Sequence, residues 1–194
     1  DGHAIDHVDI GGGLGIPYHD DLAPPPDPAA YATLVARHGN RFAATVIVEP
    51  GRLIAGNAGI LVTEVVYRKS GEAREFVIVD AAMNDLVRPT LYDAHHEVWP
   101  VEERLRAGAG VRGDLVGPVC ETGDYLARDR RLPDARAGDL LAVMSAGAYG
   151  AVQAGTYNTR PLVPEVLVMG DRFHVVRPRL DVDRLIALDS VPPW

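Results

Sequence analysis

The chain has 194 residues, 47% of them hydrophobic, with 19 Lys+Arg against 27 Asp+Glu and a formal net charge of −8. That composition excludes intrinsic disorder and a coiled coil, a sequence pI near 5.3 argues against nucleic acid as a partner, and no apolar run reaches the roughly 18 residues that span a bilayer. One cysteine, Cys120, excludes an internal disulfide and a multi-thiolate zinc site and points to a reducing, cytoplasmic setting, while one lysine, Lys69, stands among arginines as GC-rich coding produces.

The first residues carry no basic region and no apolar stretch, so they do not form a signal peptide. They also lack an initiator Met, and a chain that begins after processing or partway through a longer protein is expected. Residues 4–10 (AIDHVDI) are a short apolar run ending in glycines, the pattern of a buried strand. Asp27 and Pro28 read as the cap and first position of a helix, with Tyr31, Leu34 and Val35 at helical spacing and His38-Gly39 at its end. Residues 43–49 (AATVIVE) are a second buried strand, stopped by Pro50-Gly51. Together they predict a parallel βαβ unit. One such unit cannot cover both faces of a parallel sheet, so residues 1–56 are expected to be part of a larger α/β domain.

After Gly56 the pattern changes. Short strands are predicted over 60–68, 75–80, 97–101, 115–122, 139–144 and 163–169, with another over 173–176 and a helix over 181–188. Turns such as Ser70-Gly71 and Ala137-Gly138-Asp139 separate them, which suggests an antiparallel barrel or sandwich over 57–194.

Several short stretches carry candidate chemistry. Gly11-Gly12-Gly13-Leu14-Gly15 follows the first strand, where glycines let backbone N–H groups approach a phosphate or simply form a tight turn. Glu49-Pro50-Gly51-Arg52 closes the second strand, at the end where a (β/α)8 barrel places ligand groups. Arg88 and Tyr92 are four apart and share a face if helical. Cys120-Glu121-Thr122-Gly123-Asp124 sets the only thiol among carboxylates, and Tyr149 sits in a small-residue run that lets it reach into a site. His95 and His96 are adjacent and point to opposite faces if extended; no carboxylate–His set has ligand spacing, so no metal is expected.

In order, these pieces resemble the C-terminal half of the diaminopimelate decarboxylases, within the fold type III pyridoxal-phosphate decarboxylases. The likeness is carried by His7-Val8-Asp9-Ile10-Gly11-Gly12-Gly13-Leu14-Gly15, Glu49-Pro50-Gly51-Arg52, Asp80-Ala81-Ala82-Met83-Asn84-Asp85-Leu86 with Arg88-Pro89-Thr90-Leu91-Tyr92, Gly117-Pro118-Val119-Cys120-Glu121-Thr122 with Asp124, and Gly147-Ala148-Tyr149-Gly150. It implies that residues 1–56 are the last βα units of a (β/α)8 barrel and that 57–194 form a C-terminal β-barrel or sandwich domain. It implies pyridoxal 5'-phosphate as cofactor and decarboxylation of meso-2,6-diaminopimelate to L-lysine and CO2, the last step of lysine biosynthesis.

Carried over residue by residue, the resemblance gives Gly11, Gly12, Gly13, Gly51 and Arg52 to the cofactor phosphate, Glu49 to the pyridine nitrogen and Tyr149 to cofactor and substrate. Arg52, Arg88, Tyr92 and Glu121 bind substrate, and Cys120 is the catalytic acid. Cys120 and Glu121 complete the partner's site across a homodimer interface. The lysine that anchors the cofactor belongs to a part of the barrel before these residues. Lys69, expected in a polar hairpin turn, Tyr67-Arg68-Lys69-Ser70-Gly71-Glu72, lacks the desolvated setting such a lysine needs, so this piece alone is expected to be inactive. Two other readings remain at this point: a related decarboxylase acting on ornithine, arginine or a carboxylated polyamine such as carboxynorspermidine, or a non-catalytic relative that binds and regulates decarboxylase subunits. Glu121 and the Arg88–Tyr92 block favour diaminopimelate over the first, and the intact glycines and Cys120 disfavour the second.

Overall fold

A computed structural model describes residues 4–19, 24–39, 41 and 44–194. Strand β1 (His7–Asp9), helix α1 (Pro28–Gly39) and strand β2 (Thr45–Ile47) form the βαβ unit, with Val8 opposite Val46 in parallel register. Residue 43 of the second predicted strand lies outside the described residues. Asp27 caps α1 by accepting the Ala29 N–H at 3.1 Å, and Pro28 occupies the position where a missing N–H costs nothing. Both strands are shorter than the sequence suggests. Ile10, Ile47 and Val48 stay exposed, with no cover among the described residues.

The short helix α2 (Gly51–Ala55) and a 3₁₀ turn (Gly56–Ala58) lead into the main sheet. Its strands are β3 (Leu61–Ser70), β4 (Glu75–Val79), β5 (Val98–Pro100), β6 (Val111–Val116), β7 (Tyr125–Leu132) and β8 (Leu140–Val143), in spatial order β5-β8-β3-β4-β6-β7. One strand drives the curl. The first half of β3 pairs with β8 and its second half with β4, across a bulge between Val65 and Tyr67. The core lies inside this curl: Val65, Val77, Leu115, Leu126, Leu141 and Val143 are all essentially inaccessible.

Four expectations are corrected. The sheet is mixed, because β4 and β6 run parallel, whereas a purely antiparallel one is predicted. It curls without closing, since β5 and β7 remain edges. The strand predicted over 115–122 is β6, which ends at Val116, and β7 is an additional strand. Lys69 also lies in the ladder of β3, opposite Phe76, rather than in the turn itself, and is exposed there.

Helix α3 (Arg88–Tyr92) sits between β4 and β5. A separate hairpin, β9 (Glu165–Met169) and β10 (Arg172–Arg177), turns through Gly170 at φ +64°, and helix α4 (Val182–Ile186) follows, capped by Asp181.

The segment from α2 through the 3₁₀ turn meets the loop after β8 backbone to backbone. Ala146 N–H donates to Gly59 O at 2.8 Å and Gly147 N–H to Gly56 O at 3.0 Å. A Cβ at Gly147 would overlap the carbonyl oxygen of Ala55, so only glycine permits this approach. The contact sets Tyr149 beside Arg52.

Candidate active site

Two groups of side chains form around helix α3. The first gathers at the junction just described. The guanidinium of Arg52 lies 5.6 Å from the centre of the Tyr149 ring, and that of Arg88 lies 5.7 Å from the same ring. Arg88 also lies 5.2 Å from the Tyr18 ring, so two aromatic faces flank it. Tyr149 holds this place with a left-handed backbone, φ +63°, a conformation that costs a non-glycine residue about 1 kcal/mol.

Arg88 is buried, with 6% of its surface exposed. Buried charges are normally paired. Among the described residues, none of the carboxylates lies within ion-pair distance of Arg88. Among the described residues its one side-chain hydrogen bond joins Nη1 to His96 Nε2 at 3.0 Å.

The two glycine loops are the place to test for a phosphate-bearing cofactor. Glu49 N–H donates to Gly11 O at 2.8 Å, and a Cβ at Gly12 would collide with the Glu49 carbonyl oxygen, so the loops after β1 and β2 touch through their backbones. Gly11 and Gly13 have φ of +71° and +91°, which favours glycine. The Gly11 N–H is taken by Asp9 Oδ1 at 2.7 Å, and the Gly51 N–H by Glu49 O at 2.9 Å. Among the described residues, the N–H groups of Gly12 and Gly13 have no hydrogen-bond partner, and the space a Cβ would fill at Gly11, Gly13 and Gly51 is open. The free amides of Gly12 and Gly13, with Arg52 and the exposed carboxylate of Glu49 on the loop that touches them, fit pyridoxal phosphate.

The second group lies on the loop between β6 and β7. Asp124, buried, ties this loop down: Oδ1 accepts the Met83 N–H at 2.7 Å and Oδ2 the Val119 N–H at 2.6 Å. Thr90 on α3 donates to Gly123 O from the other side. So held, the loop presents Cys120 and Glu121 to solvent. Tyr157 donates to Glu121 Oε2 at 3.2 Å, and that bond together with the negative charge of Glu121 pushes the phenol pKa up. Tyr157 rides on a segment clamped at both ends. Gly155 N–H donates to Asn84 O at 2.9 Å, and Arg160 Nη2 donates to Asp80 O at 2.6 Å.

Of the residues expected from the sequence, Arg52, Arg88 and Tyr149 are therefore together, and Gly11, Gly12, Gly13, Glu49 and Gly51 adjoin them. Cys120 and Glu121 are a separate pair. Tyr92 is exposed and joins neither group among the described residues. His95 and His96 do face different partners: His95 Nε2 pairs with Glu97 at 2.7 Å, while His96 turns to Arg88. Among the described residues no group of three or more His, Cys, Asp or Glu is placed to hold a metal ion. Tyr18, His96 and Tyr157 were not singled out as site residues. Only their positions in the fold reveal them, because each touches a site residue distant in sequence or on another element.

Residues 7–147 match the model of a family described as pyridoxal-dependent decarboxylase, C-terminal sheet domain. The chain belongs to this family. Among curated relatives, the diaminopimelate decarboxylase of Zymomonas mobilis is 47% identical over 193 residues, and that of Pseudomonas aeruginosa is 51% identical over 192. These alignments cover 100% and 99% of the chain but 45% of each relative. The crystal structure of Helicobacter pylori diaminopimelate decarboxylase with L-lysine aligns with a TM-score of 0.85 at 36% identity, covering 94% of this chain and 44% of that one. The chain thus spans a little under half the length of the decarboxylases it resembles. No helix among the described residues is long and apolar enough to cross a membrane.

Proposed function

We propose that the chain is the C-terminal part of a diaminopimelate decarboxylase, which uses pyridoxal phosphate to convert meso-2,6-diaminopimelate to L-lysine and CO2. The observation that carries this reading is Arg88: a buried guanidinium with no carboxylate partner among the described residues, next to a second arginine over a shared tyrosine ring. Such a site calls for an anionic ligand, and the guanidinium fork matches a carboxylate. The names and identities of the curated relatives favour diaminopimelate over ornithine, arginine or carboxynorspermidine.

When bound, pyridoxal phosphate supplies an electron sink for the pair left on the substrate when CO2 departs. The amides of Gly12 and Gly13, in the loop set by Gly11, hold its phosphate, with Gly51 leaving room and Arg52 adding charge. Glu49 keeps a proton on the pyridine nitrogen. Arg52, Arg88 and Tyr92 bind substrate carboxylate, Tyr149 positions both arginines, and Glu121 receives the ammonium at the far end of the substrate. The Cys120 thiol gives its proton to the α-carbon.

Residues 1–56 act as the last βα units of a (β/α)8 barrel and residues 57–194 as the C-terminal β-domain. The parallel β1–β2 pair and its uncovered apolar residues support the first part. The enzyme works as a cytoplasmic homodimer in which Cys120 and Glu121 complete the site of the partner. In support, no hydrogen bond, ion pair or ring contact among the described residues joins either of them to Arg52, Arg88 or Tyr149. The lysine that anchors the cofactor lies outside this chain, since Lys69 is exposed at the far end of β3.

The test uses the intact protein that carries these residues, supplied with pyridoxal phosphate. CO2 release from meso-2,6-diaminopimelate should exceed release from ornithine by about 100-fold or more, the discrimination expected when a buried charge loses its partner. Equal or faster release from ornithine overturns the substrate assignment.

A further inference from the structure

His96 is fully buried, yet it belongs to none of the motifs that mark the site. Its two ring nitrogens have different partners. Nδ1 lies 2.8 Å from the carbonyl oxygen of Met144, which only accepts, so Nδ1 carries the hydrogen. Nε2 lies 3.0 Å from Nη1 of Arg88, which only donates, so Nε2 accepts. The ring is therefore neutral and held in one tautomer. It also meets the Tyr18 ring edge-on at 5.5 Å. Backbone geometry fixes the imidazole from behind, because Arg130 Nη1 donates to the His96 carbonyl at 2.6 Å and Met144 N–H donates to Glu97 O at 2.8 Å.

We propose that neutral His96 is a positioning residue for the substrate: it anchors one edge of the Arg88 guanidinium so that the other edge stays free for a substrate carboxylate. A carboxylate in the place of His96 would neutralise Arg88 and compete with substrate. A hydrocarbon would leave the guanidinium free to rotate between the Tyr18 and Tyr149 rings. A neutral acceptor of fixed tautomer orients the cation without discharging it. This rests on the assignment of Arg88 to substrate binding made above.

Two polar substitutions separate the two ends of the ring. In His96→Gln the amide reaches the position of Nε2 and can still accept from Arg88. In His96→Asn the amide reaches only the position of Nδ1, so the Met144 contact survives and the Arg88 contact is lost. With the intact, cofactor-loaded protein, H96N should raise KM for meso-2,6-diaminopimelate about 10-fold or more, the loss of one charge-assisted hydrogen bond. H96Q should keep KM within about threefold of wild type, by the same reasoning. Affinity for pyridoxal phosphate, read from its absorbance, should be unchanged in both, and kcat should fall less than KM rises. Equal KM values for the two variants, or a fall in kcat and cofactor affinity with KM unchanged, overturn the proposal. Arg88→Ala is the control: if it leaves KM unchanged, the substrate-binding reading itself fails. If it raises KM while H96N does not, only the role of His96 fails.

Discussion

Arg88 and His96 are eight residues apart, and the chain turns between them at Asp93, which ends α3 with a left-handed backbone, φ +51°. Burial, opposed in part by the Met144 hydrogen bond and assisted by the charges of Arg88, His95 and Arg130, lowers the pKa of His96 to about 4. With Tyr18, whose ring lies against it, these are the ionisable groups that face the imidazole among the described residues. The unfolded chain binds a proton at His96 below about pH 6.5, whereas the folded chain refuses it until about pH 4. Between those values the unfolded state holds more protons, so stability falls as pH falls. The full window is worth roughly 3 kcal/mol. Denaturant unfolding of the intact protein at a series of pH values should show wild type losing about that much more than H96Q between pH 6.5 and 4, since the amide does not titrate there. Parallel pH profiles would sink the idea of a neutral buried ring. The Arg-Pro-x-Leu-Tyr block made Arg88 visible in the sequence. His96 was not, because nothing in a lone buried histidine says which nitrogen meets which partner.

At the scale of elements, the loop between β6 and β7 shows what local pattern reads and what it misses. The apolar run ending at Val119 suggests a strand continuing through Cys120 and Thr122. In the fold β6 stops at Val116, because Gly117 packs against the Asp124 carboxylate and the Ala81 carbonyl, and Asp124 then gathers the amides of Met83 and Val119. Strand β7 escapes notice for a different reason. Arg128, Asp129, Arg130 and Arg131 interrupt its alternation, and Asp129 adopts φ +49°, while Leu126 and Leu132 at its ends are buried. Arg130 is tolerated because it reaches the His96 carbonyl and Glu97. By contrast the βαβ unit was legible, since caps, glycines and spacing all agree there. Asp124→Ala would leave the amides of Met83 and Val119, the latter buried, without these acceptors. It should cost about 2–4 kcal/mol and lower kcat with Cys120 chemically intact. Denaturation midpoints together with the alkylation rate of Cys120 by iodoacetamide measure both effects. A variant of wild-type stability and kcat would show that the loop holds Cys120 and Glu121 without Asp124.

The whole molecule exposes more apolar surface than a closed fold leaves open. Ile10, Ile47 and Val48 lie bare around the β1–β2 pair, and Val166, Leu167, Val168 and Met169 stand in succession on β9, apolar on both faces of the hairpin. Monomeric proteins rarely leave such patches uncovered. The candidate site is also divided, with Arg52, Arg88 and Tyr149 in one group and Cys120 and Glu121 in another. A homodimer that shares its sites accounts for the division, and mixing variants tests it. Arg52→Ala and Cys120→Ala should each be nearly inactive. In a shared-site dimer, a mixed dimer of the two has one site with both defects and one site with none. Random exchange of equal amounts makes about half of the dimers mixed, so activity should return to about a quarter of wild type, as two-fold symmetry dictates. If each site is built from a single chain, every site in the mixture keeps one defect and no activity returns. Co-refolding the two variants from denaturant and assaying CO2 release from meso-2,6-diaminopimelate tells these outcomes apart, with the wild-type enzyme carried through the same refolding as the reference.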